Sequence, residues 1–133
     1  MKTICIIVIS LFSIIVHGQE FINDSNFEEK INSKSAFDDD KSSIIIVEFW
    51  AEFNKSNAFT DWNKIQGVQY YRCDVAKAPG SKKKYKVRMA PTVIIFVDGL
   101  KESVFKAGLD LLLPADLSEI QEAVDEAAKA GQF

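Results

Sequence analysis

Residues Ile44 to Asn57 read IIIVEFWAEFNKSN, and the reading of this stretch decides the fold. Ile44 to Trp50 is β-branched and aromatic, apolar at every position except Glu48. A strand loses its polar alternation when both of its faces are covered, so this is a central strand. Asn54-Lys55-Ser56-Asn57 then turns the chain toward a helix. Ala58, Phe59, Trp62 and Ile65 fall at helical spacing, and Ser56 or Asn57 can cap it. The spacing predicts that this helix ends near Lys64, ahead of Gln66-Gly67. Glu48 is the odd residue. A carboxylate in such a strand is turned into a polar pocket or has its pKa raised by desolvation.

Toward the C-terminus, Val68 to Val75 is a further strand with Cys73 in its middle, where a thiol is buried and inert. Pro79 suits the first position of a helix that continues through Ser81 to Lys86, with Lys82-Lys83-Lys84 on a solvated face and Tyr85 and Val87 packed inward. Thr92 to Val97 is a strand, Asp98-Gly99 a tight hairpin turn, and Leu100 to Lys106 the returning strand. Asp116-Leu117-Ser118-Glu119 has the form of a capping box. It opens a last helix whose apolar stripe is Leu117, Ile120, Val124 and Ala127 and which Gly131 is placed to end.

Toward the N-terminus, Ala36 to Ser43 is a polar loop around Asp38-Asp39-Asp40. Before it, Ser25-Asn26-Phe27-Glu28 predicts a capped helix over Asn26 to Lys34, with Phe27 and Ile31 on one face. Glu20-Phe21-Ile22 is a short strand. Lys2, the apolar run Ile4 to Val16 and the ending Val16-His17-Gly18 read as a secretory signal peptide over residues 1–18, leaving one domain at 19–133. The run is too short to span a bilayer comfortably, so no membrane span is expected after cleavage. Cys5 and His17 leave with the signal, and Cys73 remains as the single cysteine, without a disulfide partner. The chain of 133 residues has a net charge of −3, which provides no basic footprint for nucleic acid.

Two segments together carry a family resemblance. The strand ending in Phe49-Trp50-Ala51 resembles the redox-site segment of the thioredoxin superfamily. The run Asp74…Tyr85-Lys86-Val87-Arg88-Met89-Ala90-Pro91-Thr92 is similar to that family's Asp, Tyr-x-Val and Pro-Thr pattern. The resemblance covers about Glu20 to Ala130 and implies an α/β thioredoxin-like fold, a central mixed sheet flanked by helices. It implies thiol–disulfide oxidoreductase chemistry as the family activity, a buried acid at Glu48, and a cis bond before Pro91.

At the two family cysteine positions this chain has Asn54 and Asn57. Disulfide exchange needs an attacking thiolate, and an amide has neither a nucleophile nor a redox couple. Dithiol chemistry is thereby excluded at this position, and no metal ligand pair or cofactor is expected. The resemblance leaves a groove formed by Trp50, Phe53, Asn54, Ser56, Asn57, Ala90 and Pro91, with the Ala90 backbone able to pair with an extended peptide. The expectation is an exported protein, periplasmic or secreted, that binds a peptide or partner protein without covalent capture. Two alternatives stand beside it. One is an oxidoreductase working through the single thiol of Cys73. The other is a structural subunit of an envelope complex, in contact through its last helix or the apolar run Leu109 to Leu113. Asn23-Asp24-Ser25 and Asn54-Lys55-Ser56 match the glycosylation pattern, and a glycan on Asn54 would block the groove.

Overall fold

The computed structural model describes residues 20–33 and 42–130. The signal segment, the Asp38-Asp39-Asp40 loop and Gly131 lie outside the described residues. The elements, in order, are β1 (Glu20–Ile22), α1 (Phe27–Ile31), β2 (Ile44–Trp50), β3 (Gln69–Asp74), α2 (Pro79–Lys84), β4 (Thr92–Val97), β5 (Leu100–Lys106) and α3 (Leu117–Ala130), with two 3₁₀ segments between β2 and β3.

The five strands form one sheet in the order β1-β3-β2-β4-β5. β3 pairs parallel with both β1 and β2, whereas β4 pairs antiparallel with β2 and with β5. β2 therefore lies at the centre, as its run of apolar residues, broken only by Glu48, leads one to expect. Its side chains alternate between two cores. Ile45, Val47 and Phe49 pack with Phe27 and Ile31 of α1 and with Ala78 and Val87, which flank α2. Ile44 and Ile46 pack on the other face with Trp62, Ile65 and the α3 residues Ile120, Val124 and Ala127. Burying each such large side chain stabilises the fold by about 1.5–3 kcal/mol.

Several local devices follow the sequence closely. Asp98 and Gly99 both have positive φ, at 50° and 81°, which is the backbone a two-residue hairpin needs. A Cβ on Gly99 would come within 2.0 Å of Asn32 Oδ1, so a larger residue here would have to displace the Asn32 side chain and hold a strained φ. The Asp116 capping box forms reciprocally: Glu119 N–H donates to Asp116 Oδ1 at 2.9 Å and Asp116 N–H to Glu119 Oε2 at 3.3 Å.

Three expectations need correction. α1 ends at Ile31, and its N-cap is Asn26 with no side-chain cap bond. Ser25 is drawn instead to Asn23, whose Oδ1 accepts the Ser25 backbone N–H at 2.9 Å and also the Ser25 hydroxyl. α2 ends at Lys84, because Lys86 turns to a φ of 55° and closes the helix. The largest departure is after Asn57. No α-helix forms there; Glu52–Asn57 and Trp62–Lys64 are 3₁₀, and Ala58 between them is extended at ψ 144°. Phe59, Trp62 and Ile65 are spaced by three, which suits a 3₁₀ turn as well as an α-helix. Asn57, Thr60, Asp61 and Asn63 are weak helix formers, and the Phe59 N–H bonds to Glu48 rather than to a preceding turn.

Candidate functional site

The C-terminal end of β2 delivers Trp50, and the chain then turns through Ala51 into the first 3₁₀ segment. Asn54 lies inside this segment with a non-helical backbone, φ −119° and ψ 22°. That twist turns its side chain inward, and the residue is only 7 % exposed. Its Nδ2 donates to the carbonyl of Ala90 at 2.8 Å and to the carbonyl of Leu111 at 3.0 Å. Its Oδ1 accepts Nδ2–H of Asn57 at 2.8 Å. The amide thus uses both donors and an acceptor, and it ties three separate loops together.

Each of those loops has its own support. The Ala90–Pro91 peptide is cis, and both residues are buried. Thr92 Oγ1 donates to the Met89 carbonyl at 2.6 Å, and Pro91 O accepts the Ala107 N–H at 3.0 Å. Leu111 has a φ of 60°, which is unusual for a bulky residue. It is held there by Leu111 N–H on the Gly108 carbonyl at 2.9 Å and Gly108 N–H on the Leu112 carbonyl at 3.2 Å.

The residues expected to form one groove are therefore not equivalent. Asn54, Ala90 and Pro91 are buried and joined, Asn57 is half-buried, and Ser56 is exposed. Phe53 is 78 % exposed at the rim. Leu109 and Leu112, on the loop that Asn54 anchors, are 99 % and 48 % exposed. Trp50 turns toward β1 and β3. Its ring meets Phe21 edge-on at 5.5 Å, and the Arg72 guanidinium lies 5.8 Å from its centroid.

Glu48 is buried in the sheet below this end. Its Oε1 accepts Arg72 Nε–H at 2.8 Å, and its Oε2 accepts the Phe59 N–H at 2.8 Å. Arg72 also reaches the Phe59 carbonyl at 3.3 Å. Burial pushes the carboxyl pKa upward, while Arg72 and the Phe59 N–H work in the opposite direction. Trp62 Nε1 faces the same carboxylate and makes no hydrogen bond of ordinary geometry among the described residues. The carboxylate is thus spent on holding β3 and the 58–60 turn. Arg72 was missed in the sequence; the clue was an opposite charge at a matching position on a strand expected to pair with β2, since Glu48 and Arg72 are register partners.

Cys73 is fully buried in β3. Burial, helped by the carboxylates of Asp24 and Asp74, pushes its thiol up to about 12. A second unforeseen residue is Asp24. Its carboxylate accepts Gly80 N–H at 2.8 Å, Ser81 N–H at 2.7 Å and the Ser81 hydroxyl at 2.8 Å, so it caps α2 from a distant loop. These bonds hold its pKa below the ordinary value. Among the described residues no group of acids, cysteines or histidines is placed to hold a metal ion, and no helix is long and apolar enough to cross a membrane.

No protein-family profile matches the chain, and no curated protein matches it in sequence. Solved structures do. One is a mutant thioredoxin from Entamoeba histolytica, 18% identical, with a TM-score of 0.55, covering 82% of this chain and 99% of that one. Another is thioredoxin f2 from Chlamydomonas reinhardtii, 7% identical, with a TM-score of 0.57, covering 87% of this chain and 99% of that one. The chain has a thioredoxin-like fold. In this thioredoxin-like domain the site end of the sheet is closed by an asparagine amide, and the one cysteine of the described residues is in the core.

Proposed function

We propose that this chain is an exported thioredoxin-like protein that holds a peptide or protein partner without covalent capture, at the end of the sheet beside the Ala90–Pro91 loop. The observation that carries this reading is the division of labour at Asn54. Its side chain is committed to the Ala90 and Leu111 carbonyls, while Phe53, Leu109 and Leu112 on the joined loops remain in water. Exposed large apolar side chains gathered on one end of a small domain are the usual mark of a partner surface. Asn54 occupies one lone pair of the Ala90 carbonyl, so contact through the apolar rim is favoured over strand pairing at that carbonyl. Export rests on the apolar run of residues 4–16 and its small-residue ending. Chemistry through Cys73 is disfavoured, because a buried thiol with its pKa raised to about 12 supplies almost no thiolate at neutral pH.

The test is a photo-crosslinking residue placed at Phe53 in the producing cells, read as discrete adducts. A defined adduct that disappears with Leu109→Ser/Leu112→Ser, while circular dichroism and thermal unfolding stay unchanged, is the expected result. Disulfide reduction by the purified protein that vanishes with Cys73→Ser would overturn the reading and move the chemistry to that thiol.

A further inference from the structure

The C-terminal end of α2 carries a second, separate feature. Lys82, Lys83, Lys86 and Arg88, together with Pro79 and Val87, line a cleft of about 440 Å³. All four cations are exposed. Among the described residues none of them has a carboxylate partner, although five other ion pairs form. Lys84, on the same helix, shows the contrast: it is bonded to Glu28 and lies 5.4 Å from the centroid of the Tyr85 ring, outside the cleft. The chain as a whole has more acids than bases, 19 against 16, so four unpaired cations around one cleft is a local inversion of its charge.

The backbone adds an independent observation. Lys86 sits at a φ of 55°, and the turn is closed by Val87 N–H on the Lys82 carbonyl at 2.9 Å and Lys86 N–H on the Lys83 carbonyl at 3.2 Å. This is the helix-ending motif in which glycine is the ordinary residue. A lysine is held in that backbone state at the position that brings a further charge to the cleft. Strain of this kind concentrates where a side chain is put to use. The dipole of a six-residue helix does not account for the cluster, since Lys86 and Arg88 lie beyond its last turn.

We infer that this cleft binds a phosphate-bearing ligand. Three ammonium groups and one guanidinium, with no carboxylate among the lining residues, match a multiply charged oxyanion better than a single carboxylate. The same chemistry is offered by a soluble phosphate ester and by a phospholipid headgroup. Arg88 is two residues before Ala90, on the segment that leads into the loop that Asn54 holds.

The test compares the protein with Lys82→Gln/Lys86→Gln/Arg88→Gln and with Lys101→Gln/Lys106→Gln/Lys129→Gln, which removes the same charge from exposed positions elsewhere. Inorganic pyrophosphate is titrated while backbone amide shifts are followed. In parallel, co-sedimentation is measured with vesicles of phosphatidylcholine alone or mixed equally with phosphatidylglycerol. Shifts confined to residues 82–88, weakened about tenfold or more in the cleft variant and unchanged in the other, assign a soluble phosphate. Binding that requires phosphatidylglycerol and falls about fivefold per cation removed from the cleft, with no pyrophosphate shifts, assigns a headgroup. Neither response, or equal loss in the two variants, overturns the inference.

Discussion

The side-chain amide of Asn54 and the backbone carbonyl of Ala90 are joined by a 2.8 Å hydrogen bond across 36 residues of sequence. Together with the bond to Leu111, it makes Asn54 a structural rivet. Asn54→Ala strips a donor from two carbonyls in a closed environment, and a buried unsatisfied acceptor costs about 1–3 kcal/mol. The expected loss of stability for Asn54→Ala is about 2–4 kcal/mol by chemical denaturation, combining the two carbonyls at the lower part of that range. Asn54→Asp keeps the shape but turns acceptor oxygens on the same carbonyls, and is expected to be worse at neutral pH than Asn54→Ala. Asn57→Ala, which removes only a bond to Oδ1 of Asn54, is expected to cost less than either. Equal stability of all three variants and the parent would show that the rivet carries no load.

Placing cysteines at Asn54 and Asn57 is not expected to create disulfide chemistry. In Asn54→Cys/Asn57→Cys the first thiol would face the Ala90 and Leu111 carbonyls, which disfavour a thiolate. The segment that follows is 3₁₀ and then extended, so no α-helix N-terminus stabilises the charge. The expected thiol pKa is at or above the ordinary value of about 8.5, with little disulfide reduction. Thiolate absorbance against pH measures it directly. A pKa well below that value, with efficient reduction, would mean that the 3₁₀ segment rearranges into a working helix.

The legible parts of this chain are those whose signals are local. β2 shows in its apolar run, the β4–β5 hairpin in Asp98-Gly99, and α3 in its reciprocal cap and stripe. Where the reading failed, residues spaced by three allowed two helix types, and a distant group chose between them: Glu48 takes the Phe59 N–H that an α-helix would have used. The bonds of Asn54 to Leu111 and of Asp24 to Ser81 span 57 residues each, and no spacing along the chain encodes them. Of the residues read as one groove, Asn54, Asn57 and Ala90 are joined by hydrogen bonds, whereas Trp50 packs against Phe21 and Phe53 stands in water, a division that no spacing along the chain encodes.

Glu48 and Arg72 supply a pH-dependent prediction. Arg72→Met leaves a carboxylate buried without its cation, and breaking such a pair costs about 3–5 kcal/mol. Desolvation already raises the Glu48 pKa above 4.5, and loss of Arg72 raises it further. A carboxyl with a raised folded pKa binds its proton more tightly when folded. Its stabilising contribution is present below the unfolded value of 4.5 and is lost as pH rises through the folded pKa. The deficit of Arg72→Met is therefore expected at pH 7 and should shrink toward pH 4.5, measured relative to the parent at each pH. Glu48→Gln/Arg72→Met should show little of that pH dependence. A deficit independent of pH in both variants would place the loss in packing against Phe21 and Trp50 rather than in charge.

Cys73 gives the corresponding prediction at high pH. Its thiol is pushed up to about 12 in the folded chain against an ordinary value of 9.0, so the unfolded chain releases the proton first. The contribution of the thiol to stability is intact below pH 9.0 and is lost as pH rises toward about 12. The slope it adds is at most about 1.4 kcal/mol per pH unit. Comparing the protein with Cys73→Val over this range isolates the thiol, because the tyrosines and lysines titrate in both. The parent should lose stability more steeply than Cys73→Val above pH 9.0. At neutral pH, thiol reagents should label the folded protein only as fast as it opens, since Cys73 is 0 % exposed. Labelling at the rate of a free thiol, or parallel pH profiles for the two proteins, would mean that β3 opens readily and that this thiol is available for chemistry after all.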